Sequence, residues 1–191
     1  GLVAAERALA LDTNLAEAHA VKARILSEGG RHDDASTEIE VALRLDPESY
    51  EVNRAAAYLR FRQKRLHESI LHFEKALALM ETDVSSGNML MTCHTALGDS
   101  AAAQRQAHIT VERAQKALAQ DPSNGAAMGF CCNALALLGQ AESAKGWMSR
   151  ALLIDPENIN MRYNFACALT THLQDVDGAI ELLGLLLEKI S

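Results

Sequence analysis

Apolar residues along this chain recur at the three- and four-residue spacing that places side chains on one face of a helix. From Ala16 to Glu28 that face is Ala20, Ala23 and Leu26. Gly29-Gly30 interrupts it, and glycine suits the left-handed position just past a helix end. A second face follows, with Ala35, Ile39, Ala42 and Leu43, and it stops at Asp46-Pro47. Proline restrains the residue before it and lacks the amide hydrogen that a helix needs. The pattern therefore predicts a helical hairpin, with Asp33 capping its second helix and Pro47 opening the next one.

The hairpin then repeats. Thr13, Pro47 and Glu81 lie 34 residues apart, as do Pro122 and Pro156, while Glu81 and Pro122 are separated by 41. Small residues return in step at Ala35, Ser69, Ala103 and Ala144, and again at Ala42, Ala76, Ala117 and Ala151. Side chains of that size let two helices approach closely. Gly30, Gly98 and Gly139 mark the turn in three units, and Lys64 stands in that place in the second, so a different turn is expected there. The 7 extra residues fall in Ser100 to Gln120, a stretch of 21 residues without Gly or Pro that reads as one helix. Seven residues are two turns less about 20°. The insertion therefore lengthens the apolar stripe of Ala107, Val111 and Ala114 without rotating it.

The last helix differs from the others. Ile180, Leu182, Leu183, Leu185, Leu186, Leu187 and Ile190 surround it. A helix apolar all round expects burial, and terminal repeats normally carry a polar outer face. Self-association through this end, or a missing covering segment, is the expectation.

A fixed period of this length is the mark of a repeat array. These residues resemble the tetratricopeptide repeat family, in which the small residues pack helix on helix and Asp-Pro links one unit to the next. The resemblance implies an all-α protein: an α-solenoid of antiparallel helix pairs in a right-handed superhelix, with about 11 helices. It implies a single array over residues 1–191, with a partial repeat at 1–15 and units at 16–49, 50–83, 84–124, 125–158 and 159–190. The usual Trp position holds His19, Asn53, Gly87, Met128 and Arg162, and Lys22 takes a usual Leu position. The first helices of the family's units line a concave groove. Here its peptide-binding positions would be Arg24, Arg54, Tyr58, Phe61, Arg62, Asn88, Thr92, Asn133, Tyr163 and Asn164, with Cys167 beside them. The family's carboxylate clamp uses Lys and Asn where this chain has Ala20 and Arg24, so a chaperone-tail adaptor of that type is not expected.

Charge sharpens the choice among those positions. The chain has 18 basic and 25 acidic residues, a net charge of −7, which argues against general nucleic-acid binding. Yet Val52 to His67 holds five Arg or Lys residues and no acidic one. Arg54, Tyr58, Phe61 and Arg62 share one helical face there, and Arg and Tyr are frequent interface anchors. The alternative for Tyr58 and Phe61 is ordinary packing. No apolar run is long enough to cross a membrane. Cys93, Cys131, Cys132 and Cys167 form no C-x-x-C and sit at positions suited to small apolar residues, which reads as free thiols in a reducing cytoplasm. No nucleophile, phosphate-loop, dinucleotide or zinc-protease motif occurs, so neither catalysis, a cofactor nor a metal is expected.

Two functional readings follow. The first is a protein-interaction scaffold that holds a peptide or a helix in the groove. The second comes from Arg150 to Ala168, which resembles the repeats that follow the catalytic domain of bacterial class III adenylate and guanylate cyclases. Similar repeat tails follow winged-helix transcription regulators, and the role implied is dimerisation or sensing. The chain begins at Gly1 inside a helical pattern, without Met, so a fragment of a larger bacterial protein is expected.

Overall fold

A computed structural model describes the backbone of residues 1–190 and the side chains of residues 1–184. The described residues form eleven helices: α1 (Leu2–Leu11), α2 (Ala16–Glu28), α3 (His32–Leu45), α4 (Tyr50–Arg62), α5 (Leu66–Leu79), α6 (Val84–Ala96), α7 (Ser100–Gln120), α8 (Gly125–Leu137), α9 (Ala141–Ile154), α10 (Ile159–His172) and α11 (Val176–Ile190). The chain divides into two compact units, Gly1–Gly98 and Asp99–Ser191.

In the first unit α2 pairs with α3 and α4 with α5. Helix α4 also packs on α2 and α3, α1 on α2, and α6 on α5. The small residues sit at the tightest points: Ala35, Ala42, Ser69 and Ala76 are fully buried. Ala16, Ala20, Ala23 and Leu26 of α2 meet Ile39 of α3 and Val52, Ala56 and Leu59 of α4 in one core. A second core joins Ala57, Phe73, Leu77, Leu90 and Cys93, with Tyr58 and Phe61 packed against it.

In the second unit α8 packs against α7, α9 and α10, and α10 against α11. Helix α7 runs over all 21 residues, and Ala103, Ala107, Thr110, Ala114 and Leu118 are its buried stripe. The insertion thus extends a packed face, as its length requires.

Turn geometry corrects three expectations. Lys64 adopts the same left-handed conformation as its glycine counterparts, φ 61° against 78°, 76° and 72° at Gly30, Gly98 and Gly139. The closing bond is the same too: Arg65 N donates to Arg60 O at 2.9 Å, as Arg31 N does to Leu26 O. The lysine turn is a glycine turn held against a steric cost of about 1–2 kcal/mol. Asp33 does not cap α3, because the helix starts one residue earlier and Asp33 lies in its first turn, where the helix dipole favours it. The prolines do not open helices. Pro47 precedes α4 by a short turn, and Ser49 is the cap, its hydroxyl accepting from Val52 N at 3.4 Å.

The caps carry the period more faithfully than the prolines do. Ser49, Asp83, Asn124 and Asn158 each accept from the amide three residues on. The left-handed residue of the fifth hairpin is Gln174, φ 55°. It stands 35 rather than 34 residues after Gly139, because α10 is one residue longer than α8. On α11, Ile180 is exposed and Leu182 and Leu183 are half-buried. The side chains of Leu185, Leu186, Leu187 and Ile190, on which the all-round apolar reading of this helix rests, lie outside the described residues.

Candidate functional site

Helix α4 has two committed sides. Val52, Ala56 and Leu59 face α2 and α3, while Ala57 faces Phe73 and the α6 residues Leu90 and Cys93. Those contacts fix the rotation of the helix and leave Arg54, Tyr58, Phe61 and Arg62 on what remains. Tyr58 is half in the core: the edge of one ring meets Phe73 with centroids 5.1 Å apart at 85°, and its hydroxyl lies 2.9 Å from Ser85 Oγ on α6. The Arg54 guanidinium sits over the Tyr58 ring, 5.3 Å from its centroid, within reach of a cation–π attraction. Arg54 Nε is buried and has no hydrogen-bond partner. Near the start of α4, burial and then the Asp83 carboxylate push the Tyr50 phenol well above its ordinary pKa, with Arg54 acting in the opposite direction.

Arg62 is exposed, and its Nη1 reaches Ser27 Oγ on α2 at 3.5 Å. Neither Arg54 nor Arg62 has a carboxylate partner among the described residues. Their neighbours do. Arg24 pairs with Glu28, Arg31 with Asp34, Arg65 with Glu68, Lys75 with Glu48 and Lys22 with Glu38. Arg60 is buried between Glu40 and Glu68.

The other sequence-derived positions divide clearly. Arg24 is exposed but tied to Glu28 at 3.1 Å. Thr92 turns back on its own helix, donating to the Asn88 carbonyl at 3.1 Å. The structure thus brings Arg54, Tyr58 and Phe61 together on α4, sets Arg62 toward α2, and gives Arg24 and Thr92 local partners. In the second unit Asn133 is half-buried on α8, whereas Tyr163 and Asn164 are exposed on α10. The Cys167 thiol beside Tyr163 holds its phenol above the usual range. Cys93, Cys131 and Cys132 are buried as their positions suggested, but Cys167 is exposed. Burial raises the buried thiols, Cys131 to about 11, which keeps them protonated and unreactive at neutral pH.

One set of residues that the sequence singled out turns out to do a shared job. At the position usually occupied by Trp, three polar side chains donate to the linker carbonyl six residues earlier. His19 Nε2 reaches Thr13 O at 3.0 Å, Asn53 Nδ2 reaches Pro47 O at 2.9 Å, and Arg162 Nε reaches Pro156 O at 2.9 Å. Met128 has no donor, and Arg150 of α9 serves Pro122 O instead, at 3.3 Å. The second helix of each pair completes the clip in the first unit: Glu38 Oε2 lies 2.6 Å from His19 Nδ1, and His72 Nδ1 donates to Asn53 Oδ1 at 3.1 Å. Burial alone would raise the Glu38 carboxyl, but Lys22 and His19 outweigh it and hold it below the usual range. A polar residue six positions after each linker was the signal for this clip.

Residues 110–164 match the sequence model of the tetratricopeptide repeat. No curated protein matches the chain. Among solved structures, YrrB, described as a TPR protein with an unusual peptide-binding site, is 20% identical with a TM-score of 0.59, over 95% of this chain and 89% of its own. TTC0263, a thermophilic TPR protein from Thermus thermophilus, is 18% identical with a TM-score of 0.68, over 91% of this chain and 90% of its own. Human IFIT1 bound to m7Gppp-AAAA reaches a TM-score of 0.74 at 16% identity, with 100% of this chain spanning 45% of that one. These likenesses establish the fold, an α-solenoid of paired helices. Among the described residues no helix is long and apolar enough to cross a membrane, and no cluster of three or more His, Cys, Asp or Glu is placed to hold a metal.

Proposed function

We propose that the first unit is a protein-interaction module whose ligand is an extended peptide or a helix bearing a carboxylate, docked across α2, α4 and α6 at Arg54, Tyr58 and Arg62. The observation that carries this reading is the unpaired state of two arginines in an acidic chain. Where a cation on these helices is structural, a carboxylate accompanies it; Arg54 and Arg62 have none. Arg54 is also held in place by the Tyr58 ring, so little side-chain freedom is lost when a ligand arrives, and its guanidinium can grip a carboxylate with two parallel hydrogen bonds. Tyr58 is itself anchored by Phe73 and Ser85. Phe61 supports this face from the core rather than presenting itself. Arg24, Asn88 and Thr92 would flank the ligand, and Asn133, Tyr163 and Asn164 are assigned no part in it.

A display library of random peptides supplies the test. Selected peptides are expected to carry Asp, Glu or a free C-terminus, and Arg54→Ala with Arg62→Ala is expected to weaken them about tenfold or more while leaving the helical signal unchanged. Selection of uniformly neutral peptides, or an unaltered affinity in the double variant, would overturn the assignment. The module is read as a non-catalytic part of a larger, cytoplasmic protein. Nothing in the structure favours the cyclase-tail reading of Arg150 to Ala168.

A further inference from the structure

Each repeat in the first unit covers the flank of the one before it. Ala16 and Ala20, the first and fifth residues of α2, are 5% and 2% exposed under Val52, Ala56 and Leu59 of α4. Leu66 and Ile70, two and six residues past the left-handed Lys64, pack against a core that includes Leu90 and Cys93 of α6. In each case the cover is the first helix of the next pair. The same positions in the last hairpin are Ile159 and Tyr163 on α10, and Val176 and Ile180 two and six residues past the left-handed Gln174. All four are large and apolar or aromatic, and they are 55%, 58%, 56% and 62% exposed. Among the described residues no helix covers them.

We propose that this flank of α10 and α11 binds the same flank of a second copy of this chain, in a two-fold symmetric pair. The occupant is argued from the repeat itself. The flank is built to receive the first helix of a pair, and α10 is such a helix with its own outer side uncovered. The corresponding helices are already buried: Ala20 on α2, Val84 and Met91 on α6, and Met128 and Cys132 on α8 are all shielded. A face that both offers and accepts a first helix is self-complementary, and two copies close the contact without leaving a further open end. Charge permits the pairing. Arg162, the basic residue between Ile159 and Tyr163, is turned back onto the Pro156 carbonyl, so the four positions form an apolar patch rich in the residue types that interfaces bury. This contact is independent of the peptide site on α4.

Sedimentation velocity over a concentration series tests it, using the whole chain. The wild type is expected to show a concentration-dependent monomer–dimer equilibrium. Tyr163→Asp and Ile180→Asp are each expected to weaken it about tenfold or more. Leu71→Asp, a change at a comparably exposed apolar residue on α5, is expected to leave it intact. Fluorescence of Trp147, the single tryptophan of the chain, together with circular dichroism confirms that each variant is folded. Cys167, one turn from Tyr163 and exposed, adds a second readout: its alkylation is expected to slow at concentrations where the dimer forms, and Tyr163→Asp to restore the rate. A wild-type chain that stays monomeric at submillimolar concentration would overturn the proposal. So would a dimer that survives both aspartates.

Discussion

Helices α4 and α8 occupy the same place in their repeats and carry opposite chemistry. Counted from the caps Ser49 and Asn124, Arg54 corresponds to Gly129, Tyr58 to Asn133, Phe61 to Ala136 and Arg62 to Leu137. Helix α8 packs against α7, α9 and α10, and Ala127, Met128, Cys131, Cys132, Ala134, Leu135 and Ala136 are all buried along it. A helix that is apolar nearly all round is consumed by its neighbours. Helix α4 is buried on two sides only, and its remaining surface carries two arginines without carboxylates over a braced tyrosine. One repeat framework therefore serves two ends, cohesion in the second unit and display in the first. Position within the repeat sets where a side chain points; residue type decides whether it packs or binds.

The comparison can be broken most severely at the floor of α4. Phe73→Ala removes the ring that braces Tyr58 and leaves a cavity in the core that joins Ala57, Leu90 and Cys93. A loss of about 3–5 kcal/mol is expected, read from chemical denaturation. A loss below about 1 kcal/mol would mean that the Tyr58 face is not held by this core. Asn53→Ala comes next. It removes donors to Pro47 O and Ser49 O and leaves His72 unmatched, so about 1–3 kcal/mol should be lost.

The turns give a smaller effect of opposite sign. Lys64→Gly and Gln174→Gly relieve side chains held at positive φ, and each is expected to stabilise the fold by about 1 kcal/mol. Gly139→Ala should cost a similar amount at its own positive φ. Destabilisation by Lys64→Gly would show that the lysine makes a contact the fold depends on.

The smallest effect concerns pH. Burial, with Arg60 nearby, lowers the His72 pKa, and burial lowers that of His172. A histidine depressed in the folded state binds fewer protons there than when unfolded, so its stability contribution is present above the unfolded value, near 6.5. It is lost as pH falls through the folded value. Stability should therefore drop on acidification below about pH 6.5, and His72→Gln should flatten that slope. An unchanged slope would exclude His72 as its source.

Helix boundaries and the long α7 were legible in the sequence because they follow from periodicity, glycine turns and the absence of breakers. The turn at Lys64 was not, because closing bonds such as Arg65 N to Arg60 O impose positive φ whatever residue occupies the place. Asp33 and the prolines drew attention as helix starts, but the caps were Ser49, Asp83, Asn124 and Asn158, which share the 34- and 41-residue spacing with the linkers they follow. Within the candidate site, the α4 cluster could be read from its sequence face. What distinguishes Arg54 and Arg62 from Arg24 could not, because the partner carboxylates of the other cations become visible only once the helices are packed.

The central claim is that α4 displays an anion-seeking surface, and it is tested most directly by titrating one library-selected peptide into the wild type and the Arg54→Ala/Arg62→Ala variant at rising salt. Wild-type affinity is expected to fall as salt rises, and the variant to bind about tenfold or more weakly with a flatter salt dependence. Equal affinities and parallel salt curves for the two proteins would contradict the account.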